Sequence, residues 1–242
     1  IAEREIDWVE MKKQLPAGTP KPHDSIMQPG SLLFKKTKSA VANLYDFSQW
    51  WEWKIGANWK QPNGPGSFIK GKENHPVVHI AYEDALAYCE WAGRRLPTEA
   101  EWERAARGNQ KNTVFSWGDD ISMLSKMANT WEGEFPVNNT KVDGFERRAA
   151  VKSYPPNDYG LYDMAGNVWE WTRSEKGDYP YPVVGTAAWR QRESGEGSAF
   201  CVLCGGAFRD DYRGVRCVVR DYDRPDDRDF NVGFRVVLTP LC

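Results

Sequence analysis

Apolar and polar positions follow different rhythms along this chain. Between residues 82 and 108 the spacing is helical. Ala85, Tyr88, Cys89 and Ala92 fall on one face at steps of three, one and three, which predicts a helix from about Tyr82 to Ala92 stopped by Gly93. A second helix is announced by Thr98 as N-cap with Glu101 three residues on, a capping box. Trp102, Ala105 and Ala106 give its apolar stripe, and Gly108 ends it. Residues 76–80 (Pro-Val-Val-His-Ile) predict a short strand, because β-branched Val77 and Val78 suit a pleated backbone. From residue 114 to 242 short apolar runs are separated by Gly, Asn, Asp and Pro, the pattern of loops and short strands.

The N-terminal part has neither rhythm. Pro16, Pro20, Pro22 and Pro29 predict an irregular strap over residues 1–36. Residues 45–70 predict an aromatic loop, with Trp50, Trp51, Trp53 and Trp59 set among Gly56, Gly64, Pro65 and Gly66. No repeat or linker divides the chain, so residues 1–242 are read as one domain. At 242 residues such a domain buries roughly 70% of its unfolded surface. The 12 Trp, 10 Tyr and 10 Phe supply a core and argue against disorder. A net charge of −2 argues against a general nucleic-acid binder. No apolar run reaches the roughly 18 residues of a membrane span. The chain starts at Ile1 without an initiator Met, so the absence of a signal peptide is uninformative. Asn138-Asn139-Thr140 matches the N-glycosylation pattern, as short patterns do by chance.

Three long motifs carry a resemblance. They are the His75-Pro76-Val77-Val78-His79 segment with the stretch Ala92-Gly93-Arg94-Arg95-Leu96-Pro97-Thr98-Glu99-Ala100-Glu101-Trp102-Glu103, the stretch Tyr159-Gly160-Leu161-Tyr162-Asp163-Met164-Ala165-Gly166-Asn167-Val168-Trp169-Glu170-Trp171, and Gly205-Gly206 followed by Asn231-Val232-Gly233-Phe234-Arg235. Together they resemble the formylglycine-generating enzyme family over most of the chain. The resemblance implies an α+β fold of the C-type-lectin-like kind, low in regular secondary structure.

It also implies a chemistry whose residues are missing. Family enzymes oxidise a substrate cysteine to formylglycine with copper held by two cysteines spaced C-x4-C just after the Gly-Gly. Soft thiolates select Cu(I). The matching stretch here, residues 205–214, contains no cysteine, so no copper is expected. Cys217 matches a cysteine that is structural in some family members. Five cysteines in all (Cys89, Cys201, Cys204, Cys217, Cys242) are too few and odd in number for a disulfide framework. Cys201-x2-Cys204 is a metal half-site by spacing, but zinc needs two further ligands; buried thiols in a strand are the plainer reading. His75-x3-His79 is set in strand-like sequence and read as structural. His23 sits in a Pro-rich loop without a signal.

By resemblance, two loops would hold structural calcium. One set is Asn129, the Thr130 carbonyl, Asp143 and the Phe145 carbonyl. The other is Asp163, the Gly166 and Val168 carbonyls and Glu170. Hard calcium takes oxygens from irregular backbone; the alternative is that these acids cap turns.

The C-terminal alphabet is unusual. Residues 209–235 contain seven Asp and seven Arg with no Lys or Glu, interleaved with Tyr212, Tyr222 and Phe230. Asp, Tyr, Phe, Gly, Ala, Arg, Cys and Val codons are all reached from an Asn codon by changing adenines alone. The segment at about 201–238 thus resembles the variable region of retroelement-diversified proteins, which often carry this fold. Tyr and Phe give rigid contact area, and Asp, Arg and Gly give adaptable polar contacts. The predicted ligand-binding surface is Phe208, Asp210, Asp211, Tyr212, Asp221, Tyr222, Asp223, Asp227, Asp229 and Phe230. The intervening Arg216, Val218, Val219, Arg220 and Phe234 to Val237 are expected to turn inward as framework. The alternatives are a salt-bridged loop without a binding role and a metal site built on the Asp cluster.

The resemblance implies a protein ligand, displayed on a cell or phage surface, and a placement outside the cell. Enzyme readings find little in the residues. Asp226 and Asp227 are adjacent and would point to opposite faces of a strand, and no nucleophile motif such as G-x-S-x-G occurs. Arg147-Arg148 and the Trp-rich segment are weaker as a nucleic-acid or sugar platform than as loop anchors. Three functions remain in order: a non-catalytic binder with a diversified C-terminal surface, an oxidase with a relocated copper site, and an inactive homologue that partners another family member.

Overall fold

The computed structural model describes residues 7–13, 15–24, 27–44, 46–177 and 200–238. Its centre is a four-stranded sheet of β5 (Trp169–Glu175), β6 (Cys201–Cys204), β7 (Arg220–Asp223) and β8 (Val232–Phe234), in the order β7-β6-β5-β8. β5 and β8 run parallel and the other pairs antiparallel. Alternation along β6 divides the interior. Cys201 and Leu203 join Trp169 and Trp171 against Ala85 and Cys89 of α2 (Tyr82–Ala92). Val202 and Cys204 face the other way, onto Trp102 and Ala106 of α3 (Glu99–Arg107). The two helices therefore cover opposite faces of the sheet.

Both helices keep their predicted bounds for the predicted reasons. Gly93 ends α2 in the left-handed conformation at φ 62°, where a side chain would be strained. At the start of α3, Thr98 Oγ1 accepts the Glu101 amide, and the Glu101 carboxylate accepts the Thr98 amide at 2.8 Å. The Arg95 guanidinium grips that same carboxylate with two hydrogen bonds, which holds its pKa down to about 2.

Three expectations need correction. The N-terminal strap contains a short helix α1 (Trp8–Lys13) and a strand β1 (Gly30–Phe34). The aromatic loop contains β2 (Trp51–Ile55), which pairs antiparallel with β1 from Gly30↔Ile55 to Phe34↔Trp51. Residues 76–80 form no strand. His79 there takes φ 59°, its amide donates to the Asp229 carbonyl, and its buried ring lies 2.7 Å from Ser31 Oγ and 2.9 Å from the Pro62 carbonyl. Tertiary anchoring of that ring wins over the β-propensity of Val77 and Val78, and burial lowers the His79 pKa to about 4. The ring is a structural post, as read from the sequence.

A second aromatic core lies beside the sheet. Leu33, Phe34, Trp50, Trp131, Phe208 and Phe230 form it, with Trp51 and Phe135 packed at its edge. A short hairpin of β3 (Gly133–Glu134) and β4 (Asn138–Asn139) stands next to it. No helix among the described residues is long and apolar enough to cross a membrane.

Candidate functional site

The chain leaves β6 through Gly205 (φ 103°) and Gly206 (φ 75°). A Cβ on Gly206 would stand 2.7 Å from a Val215 methyl and 2.9 Å from the Gly214 carbonyl, so only glycine fits the bend. Beyond it the chain closes a tight turn. The Asp210 amide donates to the Ala207 carbonyl, and the Asp210 carboxylate accepts the Ala207 amide at 2.9 Å. The turn buries Phe208 in the aromatic core and throws Arg209 over two indoles. Its guanidinium carbon lies 5.1 Å from the Trp51 ring centroid and 5.6 Å from that of Trp50.

Three aspartates of this segment, Asp210, Asp223 and Asp229, feel the charge of that guanidinium. Register places Asp221 opposite Leu203 and Asp223 opposite Cys201, so both lie on the α2 face of the sheet. Burial pushes the Asp223 carboxyl up to about 7, with the charges of Asp221 and Asp227 adding and that of Arg209 opposing. Burial likewise pushes Asp229 up to about 8, against the pull of Arg209 and the Phe230 amide, while Asp223 and Asp227 add to the rise. Asp210 and Asp227 are also raised, by burial first. One stacked arginine thus stands amid several carboxyl groups, which resist ionising together.

The predicted surface divides when placed in the structure. Tyr212 and Asp227 are at the surface, Tyr212 with 42% of its area exposed, and Asp211 is half-buried. Asp211 is held by the Arg213 guanidinium at 2.5 Å, and hydrogen bonds from that residue keep its pKa low despite burial. Asp210, Asp221, Tyr222 and Asp223 are half-buried. Phe208, Asp229 and Phe230 are corrections: they are 1%, 7% and 3% exposed and belong to the interior. The two phenyl rings close the aromatic core at 5.7 Å from one another. Asp229 packs against β1, with its carboxylate capping the Phe230 amide. Tyr222 is also separated from its neighbours, since it sits opposite Val202 on the α3 face, under the Lys176 ammonium. Of the expected framework, Arg220 is buried and paired with Glu99 and Glu103 of α3, and Val219 and Phe234 pack on the sheet. Val218 is 57% exposed, and Arg216 and Val236 are also exposed, contrary to expectation. Sequence reasoning missed Arg209, Trp50 and Trp51 as one unit. Arg209, three residues after Gly206, was the available signal, but its partners lie some 160 residues earlier.

The cysteines supply no alternative centre among the described residues. Cys201 and Cys204 lie on opposite faces of β6, because an i, i+3 pair in a strand diverges. Burial raises all four described thiols, Cys201 to about 12 and Cys217 to about 11, so none is thiolate at neutral pH. Cys242 lies outside the described residues. Among those residues no group of three or more His, Cys, Asp and Glu is placed to hold a metal.

Residues 11–240 match the family model described as the sulfatase-modifying factor enzyme 1-like domain. The chain belongs to that family. A formylglycine-generating enzyme from Mus musculus is 41% identical to this family member over 212 residues, covering 84% of the chain and 55% of the mouse protein. A protein named inactive C-alpha-formylglycine-generating enzyme 2, from Bos taurus, is 43% identical over 189 residues, covering 77% and 58%. The chain thus spans a little over half the length of these curated relatives. Among solved structures, Treponema denticola variable protein 1 has the same fold, with a TM-score of 0.59 at 18% identity over 87% of this chain and 95% of that one. The α+β, C-type-lectin-like architecture expected from the motifs is therefore shown.

The loops matched to the family's calcium sites differ in fit. In the first, Asp143 is buried, its carboxylate accepts the Thr130 and Phe145 amides, and desolvation raises its pKa. Asn129 donates through Nδ2 to the Arg147 carbonyl, leaving Oδ1 buried without a donor. Thr130 Oγ1 and Glu132 Oε1 are likewise buried and unpaired, and Glu132 is raised by burial and by Asp143. A hard cation would satisfy such a set of oxygens. In the second loop, Asp163 Oδ1 is buried and unpaired, but Glu170 accepts from Arg235 with both oxygens and from Trp102. Arg235 also donates to the Tyr162 and Asp163 carbonyls. Here the chain's own cation stands among the expected ligands, and the fit rests on Asp163 with the Gly166 and Val168 carbonyls.

Proposed function

We propose that this protein is a non-catalytic binder that presents its C-terminal segment, about residues 201–238, to a protein partner as a diversified recognition surface. The supporting observation is the turn after Gly205-Gly206. Where the family's copper chemistry calls for two thiols, this turn carries Arg209 on a Trp50/Trp51 platform among aspartates, and the described thiols are all buried. The contact residues are Asp211, Tyr212, Asp221, Asp223 and Asp227, with exposed Arg213 and Asp226 between them; Tyr222, on the other face of the sheet, is outside this set. Large aromatics with short charged side chains on rigid turns are the chemistry of a paratope. Asp143, Asn129 and the Thr130 and Phe145 carbonyls would hold a structural calcium ion behind this surface. The bound ion would fix loops and supply no reactive step.

The bovine relative named as inactive favours a second reading of the same scaffold, a catalytically inactive homologue. Cu(I) titration with a chromogenic chelator, paired with mass spectrometry of a Cys-x-Pro-x-Arg peptide incubated with the protein, tests the non-catalytic reading. The expected result is no stoichiometric copper and no conversion of cysteine to formylglycine. Stoichiometric Cu(I) with peptide turnover overturns it in favour of an oxidase.

A further inference from the structure

A cavity of about 940 Å³ opens on the face of the β1–β2 pair that carries Leu33 and Glu52. Register puts that face opposite the one on which Trp51 meets Arg209. Leu33, Trp59, Ile69 and Val77 give it apolar walls. Trp59, Ile69 and Val77 are 41%, 44% and 37% exposed, so three solvent-facing hydrophobics share one concavity.

The charge inside is lopsided. Lys70, Lys72, Arg147 and Arg148 line the cavity against two carboxylates, Glu52 and Glu73, both exposed. Glu73 is turned onto the Gly71 amide at 2.9 Å. Arg148 is the unusual member. It is half-buried and its guanidinium donates to the Phe230 carbonyl, yet no carboxylate among the described residues lies within ion-pair distance. Its charged neighbours are cations: Arg147 beside it, and Lys72 around the same His75. Burial and Arg147 lower its pKa to about 10, so it stays protonated at neutral pH. A buried charge without a counter-ion is costly and is ordinarily paired. Here a cavity large enough for a small organic molecule adjoins it.

We propose that this cavity binds an organic carboxylate with an apolar body, its charged end on Arg148 and its body against Trp59, Ile69 and Val77. Arg offers a planar fork that matches a carboxylate. The walls supply burial that a bare inorganic anion cannot use. This site shares no ligand-facing residue with the C-terminal surface, so it stands or falls independently of that reading.

Isothermal titration with indole-3-acetate and with its uncharged amide, indole-3-acetamide, tests the proposal. The acid should bind saturably at one per chain, and the amide at least about tenfold more weakly, since a charged hydrogen bond is lost. Arg148→Met should keep the melting temperature and lose at least about tenfold in affinity for the acid. Inorganic phosphate at the same concentration should not displace the acid. Lys72→Gln with Arg147→Gln, both at exposed positions, should weaken the acid about threefold or more through the lost field. That double variant decides the matter if Arg148→Met fails to fold. Equal binding of acid and amide, unchanged affinity in either variant, displacement by phosphate, or no saturable binding overturns the assignment.

Discussion

The carboxyl groups around Arg209 make stability depend on pH in an unusual direction. Asp229 is 7% exposed and raised to about 8, and Asp223 is raised to about 7. A buried acid with a raised pKa stabilises the fold while protonated. In the unfolded chain the same group ionises near its ordinary value of 3.8. Between about pH 4 and pH 8 the native state therefore binds more protons than the unfolded state, and stability falls as pH rises. Each pH unit in that window is worth about 1.4 kcal/mol per fully shifted group. From pH 5 to pH 8, Asp229 alone contributes a loss of roughly 2–4 kcal/mol after allowing for relaxation around the new charge. Asp229→Asn copies the protonated carboxyl, and its Oδ1 can still accept the Phe230 amide. Urea unfolding at pH 5, 6.5 and 8, with constant m-values, measures the effect. The variant should match the parent at pH 5 and exceed it by about 2–4 kcal/mol at pH 8. A parent whose stability is flat or rises over that range, or a variant no better at pH 8, refutes the picture of neutral buried aspartates. Glu101, held down to about 2 by Arg95, acts in the opposite sense, but only below about pH 4.5, outside this window.

Other consequences are open to direct measurement. Tyr212→Ala removes an exposed ring, so its unfolding free energy should change by no more than about 0.5 kcal/mol while partner binding is lost; a large destabilisation would place the ring in the core. Arg220→Met leaves Glu99 buried without its cation, and a cost of about 3–5 kcal/mol in denaturant titration is expected; a neutral result would show that the pair is not desolvated. Calcium should raise the melting temperature and chelation lower it, with the response abolished by Asp143→Asn; no response in the parent contradicts the fit of the first loop. Cys89, Cys201, Cys204 and Cys217 should resist a thiol reagent at neutral pH until the protein unfolds, whereas stoichiometric labelling of the native chain would contradict their burial.

Local chemistry was legible in the sequence, and long-range partnership was not. The capping box at Thr98 and the stop at Gly93 lie within a few residues of what they control, so both helices could be bounded from the chain alone. The motifs around Gly205-Gly206 and Asn231 to Arg235 likewise pointed to the right fold. Residues 76–80 failed as a strand because His79 is pinned by Ser31, Pro62 and the Asp229 backbone, none of them nearby in sequence. Phe208 and Phe230 looked like contact residues because their neighbours are charged. Their rings instead face Phe34 and Trp50 of the aromatic core, across a gap of well over a hundred residues. Alternation, in the register of β6 with β7, separates Cys201 from Cys204 and Asp221 from Tyr222 onto opposite faces, whereas Asp226 and Asp227, expected in a strand, lie in the turn that follows β7.

The claim that the C-terminal segment is a diversified surface is tested most directly by deep sequencing of the coding stretch for residues 201–238 across a population, together with its flanking DNA. A nearby near-copy should be found beside a reverse transcriptase. Substitutions should fall at that copy's adenines and concentrate at Asp211, Tyr212, Asp221, Asp223 and Asp227, while the codons for Phe208 and Phe230 stay apolar. An invariant stretch with no second copy contradicts the account.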